Sequence, residues 1–215
     1  MRIGILGTGT LAIGLGTAWT RAGHEVLVGG RTPDRAEAAA ATIGEPARAV
    51  SLREAVVDRD AVLLAVAHEG LADTLRAAGA DEGSLAGMPL LDPTNAVEHG
   101  VGVLLPDDGR AIADHVADWA PGAHVVKAFH LFPADQWTEA RAPVTVAMAG
   151  DDPHALEIAT RLGRDVGAHP VVLGPLHRAR QLEEVAGFVI GLAFAGHDPN
   201  TAIPRVPAAP EAEGR

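Results

Sequence analysis

Short, unbroken apolar runs alternate along this chain with longer stretches whose apolar residues recur at helical spacing. Arg2-Ile-Gly-Ile-Leu6 is the first such run, and His24 to Gly29, Ala61 to Val66, Pro89 to Leu91 and His124 to Ala128 follow the same pattern. Runs this short and this uniformly apolar predict strands buried on both faces, as in a parallel sheet. Between them, helical patterns lead up to Arg21, from Pro33 or Asp34 to Thr42, from Glu69 to Ala78 and from Arg110 to Trp119. Val50-Ser51 predicts a brief strand, and Leu52 to Asp58 a short helix with Ser51 as its N-cap. The alternation predicts an α/β fold, a Rossmann-type doubly wound parallel sheet. Further along, Val144 to Ala149 and Pro170 to Leu173 read as strands. Pro153 suits the first turn of a helix running to about Arg164, and Arg178 to Ala195 is the longest helical candidate.

The first strand runs directly into Gly7-Thr8-Gly9-Thr10-Leu11-Ala12, a G-x-G-x-x-A turn that opens a helix. Gly7 allows the sharp turn, Gly9 lets a pyrophosphate approach the backbone, and Ala12 is small enough for close packing of helix on strand. The free N–H groups and dipole of the helix then bind phosphate without a lysine. The second strand ends in Gly29-Gly30-Arg31-Thr32, with Arg35 one helical turn further on. NAD sites place a carboxylate about 20 residues beyond the glycines to accept from the ribose hydroxyls, and that carboxylate would repel a 2′-phosphate. Here two glycines leave room, Arg31 can pair bidentately with the phosphate, and Thr32 adds a hydroxyl. The pattern predicts NADP(H) as the cofactor, held by Gly7, Thr8, Gly9, Thr10, Leu11, Ala12, Gly30, Arg31, Thr32 and Arg35.

Composition narrows the remaining choices. A formal net charge of −11 lacks the basic footprint of nucleic-acid binders, and three Trp, four Phe and no Tyr leave little for base stacking. No apolar run is long enough to span a membrane, so no membrane partner is expected. The sequence begins inside a strand, leaving no room for a signal peptide, and holds no cysteine, so a cytoplasmic location is the expectation. The ten histidines show no metal-binding spacing, and no metal is expected.

In open α/β sheets ligands sit beyond the carboxyl ends of the strands. Three such ends are chemically distinctive here: Ala67-His68-Glu69, Asp92-Pro93-Thr94-Asn95 and Phe129-His130. His68 and His130 are the ionisable groups expected nearest a nicotinamide. Lys127 lies inside an apolar strand and reads as structural or solvent-facing. Arg178 and Arg180 start a helix, where its dipole disfavours them, which hints at an anionic ligand. Trp19, Trp119 and Trp137 read as core or interface packing, and Glu183-Glu184 as a solvated or interface pair.

At these residues the chain resembles the NADPH-dependent reductases of the deazaflavin coenzyme F420, and the related NADP-binding domain of membrane ferric reductases. Gly7-Thr8-Gly9-Thr10-Leu11, Val28-Gly29-Gly30-Arg31, Val125-Val126-Lys127-Ala128-Phe129-His130, Ala149-Gly150-Asp151-Asp152 and Gly174-Pro175-Leu176 fall in that family's order and spacing. The resemblance implies a Rossmann domain over residues 1–138, a small C-terminal domain over 139–205 closing the active cleft, and commonly a homodimer. The composition of residues 206–215 reads as a disordered tail. The resemblance implies that Thr8, Arg31 and Arg35 hold the cofactor phosphates and that Ala67, His68, Asn95 and His130 line the nicotinamide end. The sequence departs from the family at Val66-Ala67-His68, where a proline is usual, and at Thr94-Asn95, where apolar residues are usual.

Hydride transfer asks mainly for alignment and a dry cleft. A deazaflavin acceptor needs only that the two rings stack, whereas a carbonyl or imine also needs an acid, for which His130 is the first candidate and His68 the second. The expected activity is hydride transfer between NADPH and a small-molecule acceptor, first of all coenzyme F420. A small carbonyl or imine reductase, a flavin or iron reductase, and a non-catalytic NADP-binding sensor are the alternatives.

Overall fold

The structure is a computed structural model describing residues 1–106, 108–139 and 142–204; the expected tail at 206–215 lies outside the described residues. Its strands are β1 (Arg2–Leu6), β2 (Glu25–Gly29), β3 (Arg48–Val50), β4 (Ala61–Leu64), β5 (Pro89–Asp92), β6 (His124–Lys127), β7 (Thr145–Gly150) and β8 (His169–Gly174). Its helices are α1 (Thr10–Arg21), α2 (Pro33–Ile43), α3 (Leu71–Ala77), α4 (Ile112–Trp119), α5 (Asp135–Thr138), α6 (Pro153–Asp165) and α7 (Ala179–Phe194), with several single 3₁₀ turns between them. The strands form one eight-stranded sheet in the order β3-β2-β1-β4-β5-β6-β7-β8.

β1 to β6 are parallel, as their continuous apolar runs predict, and β1 pairs with both β2 and β4, so the chain winds outward from the centre in both directions. β7 departs from the expected parallel order: it pairs antiparallel with β6, and β8 then runs parallel to β7. Residues 145–174 therefore extend the same sheet, and Val146, Met148, Ala155 and Leu162 share a buried cluster with Ile3, Leu15, Trp19 and Phe129. The expected boundary at 138 falls inside this shared sheet and core.

A second cluster packs α3 and α4 on the opposite face, with Leu71, Leu75, Ile112 and Val116 against Leu6, Val62, Leu64, Leu90 and Val125. Helix ends follow local chemistry. Asp152 caps α6 by accepting from the Ala155 N–H at 2.7 Å, with Pro153 in the first turn. Ser51 and Glu54 bond reciprocally, but the expected helix after them is a single 3₁₀ turn, Glu54–Val56. It stops because Val57 is extended and Asp58 adopts a φ of 53°. Trp19 and Trp137 are buried edge-to-face around Phe129, with centroids 5.9 and 5.6 Å away. Trp119 instead lies 36% exposed, stacked on His115, because it ends its helix on the outer face. No helix among the described residues is long and apolar enough to cross a membrane.

Candidate active site

Six parallel strands end along one edge of the sheet, so the glycine turn and the later strand ends share that edge. The turn after β1 requires Gly7. Its φ is 133°, and a Cβ there would stand 2.0 Å from the Ala65 carbonyl oxygen at the end of β4. Its N–H donates to the Gly29 carbonyl at 2.8 Å, tying the turn to the end of β2. A Cβ on Gly9 would meet no atom within 4 Å, so the approach to the start of α1 is open. Thr10 begins the helix and Leu11 is half-buried, whereas Ala12 is wholly buried in the core. Ala12 thus serves by letting helix and strand pack closely, and a ligand cannot touch it.

A cavity of about 90 Å³ joins the two halves of the motif, with Gly7 and Thr8 on one side and Gly30, Arg31, Thr32 and Arg35 on the other. A wider hollow of about 530 Å³ continues past Gly30 and Arg31 to Ser51, Leu52 and Arg53. Another, of about 500 Å³, runs from Thr8, Gly9 and Arg35 to Ala65, Val66 and Ala67. Arg31 borders all three, and Arg35 borders two. A Cβ on Gly30 would stand 2.8 Å from Thr8 Cγ2, so a side chain there would fill the junction between the hollows. Both arginines are exposed, and among the described residues neither guanidinium is engaged in a hydrogen bond or ion pair. Two guanidinium groups side by side suit an anion. This side of the cleft fits a phosphorylated dinucleotide, with backbone N–H groups at the turn and two uncommitted guanidinium groups beyond it.

The other side is built differently. Ala67 is exposed, and His68 is half-buried with Nδ1 3.4 Å from Glu69 Oε2. Asn95 donates from Nδ2 to the His130 carbonyl at 2.6 Å, bridging the ends of β5 and β6. Asn95 Oδ1 and His130 Nδ1 are both buried without a hydrogen-bond partner in the protein. His130 follows Phe129, whose φ of 60° turns the chain sharply after β6. With its residue only 8% exposed, the imidazole is pushed down to about 3, first by burial and then by the Lys127 charge, with the Leu182 backbone opposing. It is neutral throughout the physiological range, and a neutral imidazole is a poor proton donor. Such an imidazole is poorly suited to act as an acid.

Lys127 is wholly buried, so the solvent-facing alternative does not hold. Its ammonium donates to Asp92 Oδ2 at 3.0 Å, to Glu183 Oε1 at 2.8 Å and to the Thr94 carbonyl. Glu183 is also wholly buried and is neither solvated nor at an interface; only Glu184 is exposed, paired with Arg180 at 3.0 Å. Arg178 forks onto Gln181 Oε1, and Arg180 also donates to the Arg110 carbonyl at 3.1 Å, so both arginines already have partners. The signal for Glu183 lay in the spacing: Ala179, Leu182, Ala186 and Gly187 form the buried stripe of α7, and Glu183 falls on it.

Residues 2–96 match the family model described as NADP oxidoreductase, coenzyme F420-dependent. Metalloreductase STEAP3 of Rattus norvegicus is 29% identical over 188 residues, covering 86% of this chain; the chain spans only 36% of that protein's length. An F420-dependent NADP reductase of Methanothermobacter marburgensis is 28% identical over 229 residues, covering 98% of this chain and 100% of that protein. A crystal structure from Arthrobacter sp. FB24, assigned as an F420-dependent NADP-reductase, superposes with a TM-score of 0.77 at 25% identity, covering 92% of this chain and 96% of the other. The glycine turn, the arginines beyond β2 and these likenesses agree: residues 2–96 are similar to the coenzyme F420-dependent NADP oxidoreductases.

Proposed function

We propose that this protein is an NADP-dependent oxidoreductase that moves a hydride between NADPH and a flat redox carrier, coenzyme F420. The observation that carries the cofactor half is the position of Arg31, uncommitted and bordering every hollow of the cleft. Arg31, Arg35 and Thr32 hold the 2′-phosphate, Thr8 and the N–H groups at the start of α1 hold the pyrophosphate, and Ala67, His68 and Asn95 face the nicotinamide. Asn95 Oδ1 and His130 Nδ1, both buried and unpaired acceptors in an amide and a neutral ring, suit N–H donors such as the nitrogen of a carboxamide. When bound, the dinucleotide supplies the hydride; the protein's share is alignment and exclusion of water.

The choice of acceptor rests first on the similarity to F420-dependent NADP reductases, and a His130 that burial keeps neutral is in line with it. A deazaflavin needs ring-on-ring alignment and takes its proton from solvent. The full-length overlap with the Methanothermobacter reductase supports the same reading. Val185 and Phe188, one helical turn apart on α7, leave an apolar patch exposed, which supports a homodimer.

Stopped-flow absorbance of NADPH with oxidised F420 tests the activity: stoichiometric loss of both absorbances is expected, and NADPH binding without transfer would refute the acceptor. Arg31→Ala is expected to weaken NADPH binding by about 2–3 kcal/mol, the scale of a lost charge-assisted contact, with NADH affinity unchanged. Equal weakening of both cofactors would refute the 2′-phosphate assignment.

A further inference from the structure

We infer that Lys127 is a positioning residue for the nicotinamide end of the cleft, and that Glu183 makes the geometry of that end depend on helix α7. The inference rests on the NADP reading above and adds residues to it that touch neither cofactor nor acceptor.

Lys127, Asp92 and Glu183 are all wholly buried and come from β6, β5 and α7. The lysine uses its three donors on Asp92, Glu183 and the Thr94 carbonyl. Asp92 Oδ1 accepts from the Thr94 N–H at 2.9 Å. Both backbone groups of Thr94 are therefore fixed by this one ion network. The next residue is Asn95, whose amide holds the His130 carbonyl and leaves Oδ1 free. Glu183 meanwhile accepts from the N–H groups of Ile112 at 2.9 Å and Ala113 at 3.3 Å. The N-cap of α4 is Ala111, which has no side chain to offer, so Glu183 supplies the cap from another helix.

Such a network is a poor investment for stability alone. Burying a lysine with two acidic side chains costs desolvation, which pushes the Glu183 carboxyl up, and apolar replacements of similar volume are often neutral or stabilising. What the network does provide is a fixed direction: the two peptide units that flank Thr94 cannot rotate while its N–H and carbonyl are both held. Three unpaired buried polar atoms, Thr94 Oγ1, Asn95 Oδ1 and His130 Nδ1, sit on the segments that it orients. Their lack of a protein partner points to a ligand, and the network sets where that ligand's polar groups must lie.

The test separates the two ends of the cofactor. Titrations of wild type, Lys127→Met and Glu183→Gln with NADPH and with 2′,5′-ADP, which carries only the adenosine end, give a dissociation constant for each. Lys127→Met is expected to bind 2′,5′-ADP within 2-fold of wild type and NADPH at least 10-fold more weakly. Glu183→Gln keeps the side-chain shape while removing the charge, and is expected to show the same split at about 3-fold; it decides the matter should Lys127→Met fail to fold. NADPH binding unchanged in the folded variants, or equal weakening for both ligands, would overturn the positioning role. A wild-type protein binding 2′,5′-ADP no better than 5′-AMP would overturn the cofactor reading, and this inference with it.

Discussion

Replacing His130 with Gln should remove much of the protein's sensitivity to mild acid. The imidazole has a value of about 3 in the folded chain and its ordinary 6.5 in the unfolded one. The sign follows from which state binds the proton. Above pH 6.5 both states carry a neutral ring, and burial of the ring entails no charge. Between 6.5 and about 3 only the unfolded state is protonated, so stability falls as pH falls, by about 1.4 kcal/mol per pH unit. Integrated from pH 7 to pH 5, the loss is about 2 kcal/mol. That figure needs only that the folded value lie well below 5.

Urea unfolding of wild type and His130→Gln at pH 7 and pH 5 measures this directly. At a urea slope of about 2–3 kcal/mol/M, the wild-type midpoint should drop by ~0.7–1 M more than the variant's. The variant's own loss of packing cancels, because each protein is compared with itself. His24 is also held below its ordinary value, mainly by burial, and pushes in the same direction, but it is present in both proteins and cancels too. Parallel pH dependence in the two proteins would refute the argument: His130 would then titrate normally, and its candidacy as a catalytic acid would return.

Two further outcomes follow from packing. Gly7→Ala combines a positive φ with a Cβ 2.0 Å from a backbone oxygen, so it should lower stability by about 2–4 kcal/mol in urea unfolding and disorder the phosphate turn; an unchanged midpoint would contradict the turn geometry. Phe188→Asp places a charge on the exposed apolar face of α7 and should turn a dimer into a monomer in sedimentation equilibrium, whereas a monomeric wild type at tens of micromolar would refute the dimer.

The parts of the fold that could be read from sequence were those in which local chemistry and tertiary role coincide. A strand buried on both faces must be apolar throughout, so Ala61 to Leu64 announces itself, and a glycine turn between strand and helix has few other uses. The direction of β7 carries no such mark. Its residues record burial, and the segment between β6 and β7 is long enough for a parallel crossover or for an antiparallel return. Arg178 and Arg180 looked free because they oppose a helix dipole, yet Gln181 and Glu184, three and four residues on, were visible partners at helical spacing. Lys127 and Glu183 each showed a charge at a core-facing position. Their pairing joins residues far apart in sequence, and only the folded sheet brings them together.

The reversal of β7 is also what gives the C-terminal helix access to the site. Had β7 and β8 continued parallel, both would have ended at the same sheet edge as the glycine turn, and α7 would have led away from it. As they run the other way, β8 ends toward the opposite edge, and the following helix returns along the sheet toward the cleft. On that return Glu183 reaches Lys127 at 2.8 Å. One helical turn later Gly187 passes so close to the loop after Asn95 that a Cβ would stand 2.2 Å from the Gly102 oxygen. The loop carrying Asn95 is thus held from below by an ion pair and from the side by a helix with no side chain at the contact. A fully parallel sheet would offer neither restraint, so the one topological feature that the sequence did not disclose is the one that brings α7 to this end of the cleft.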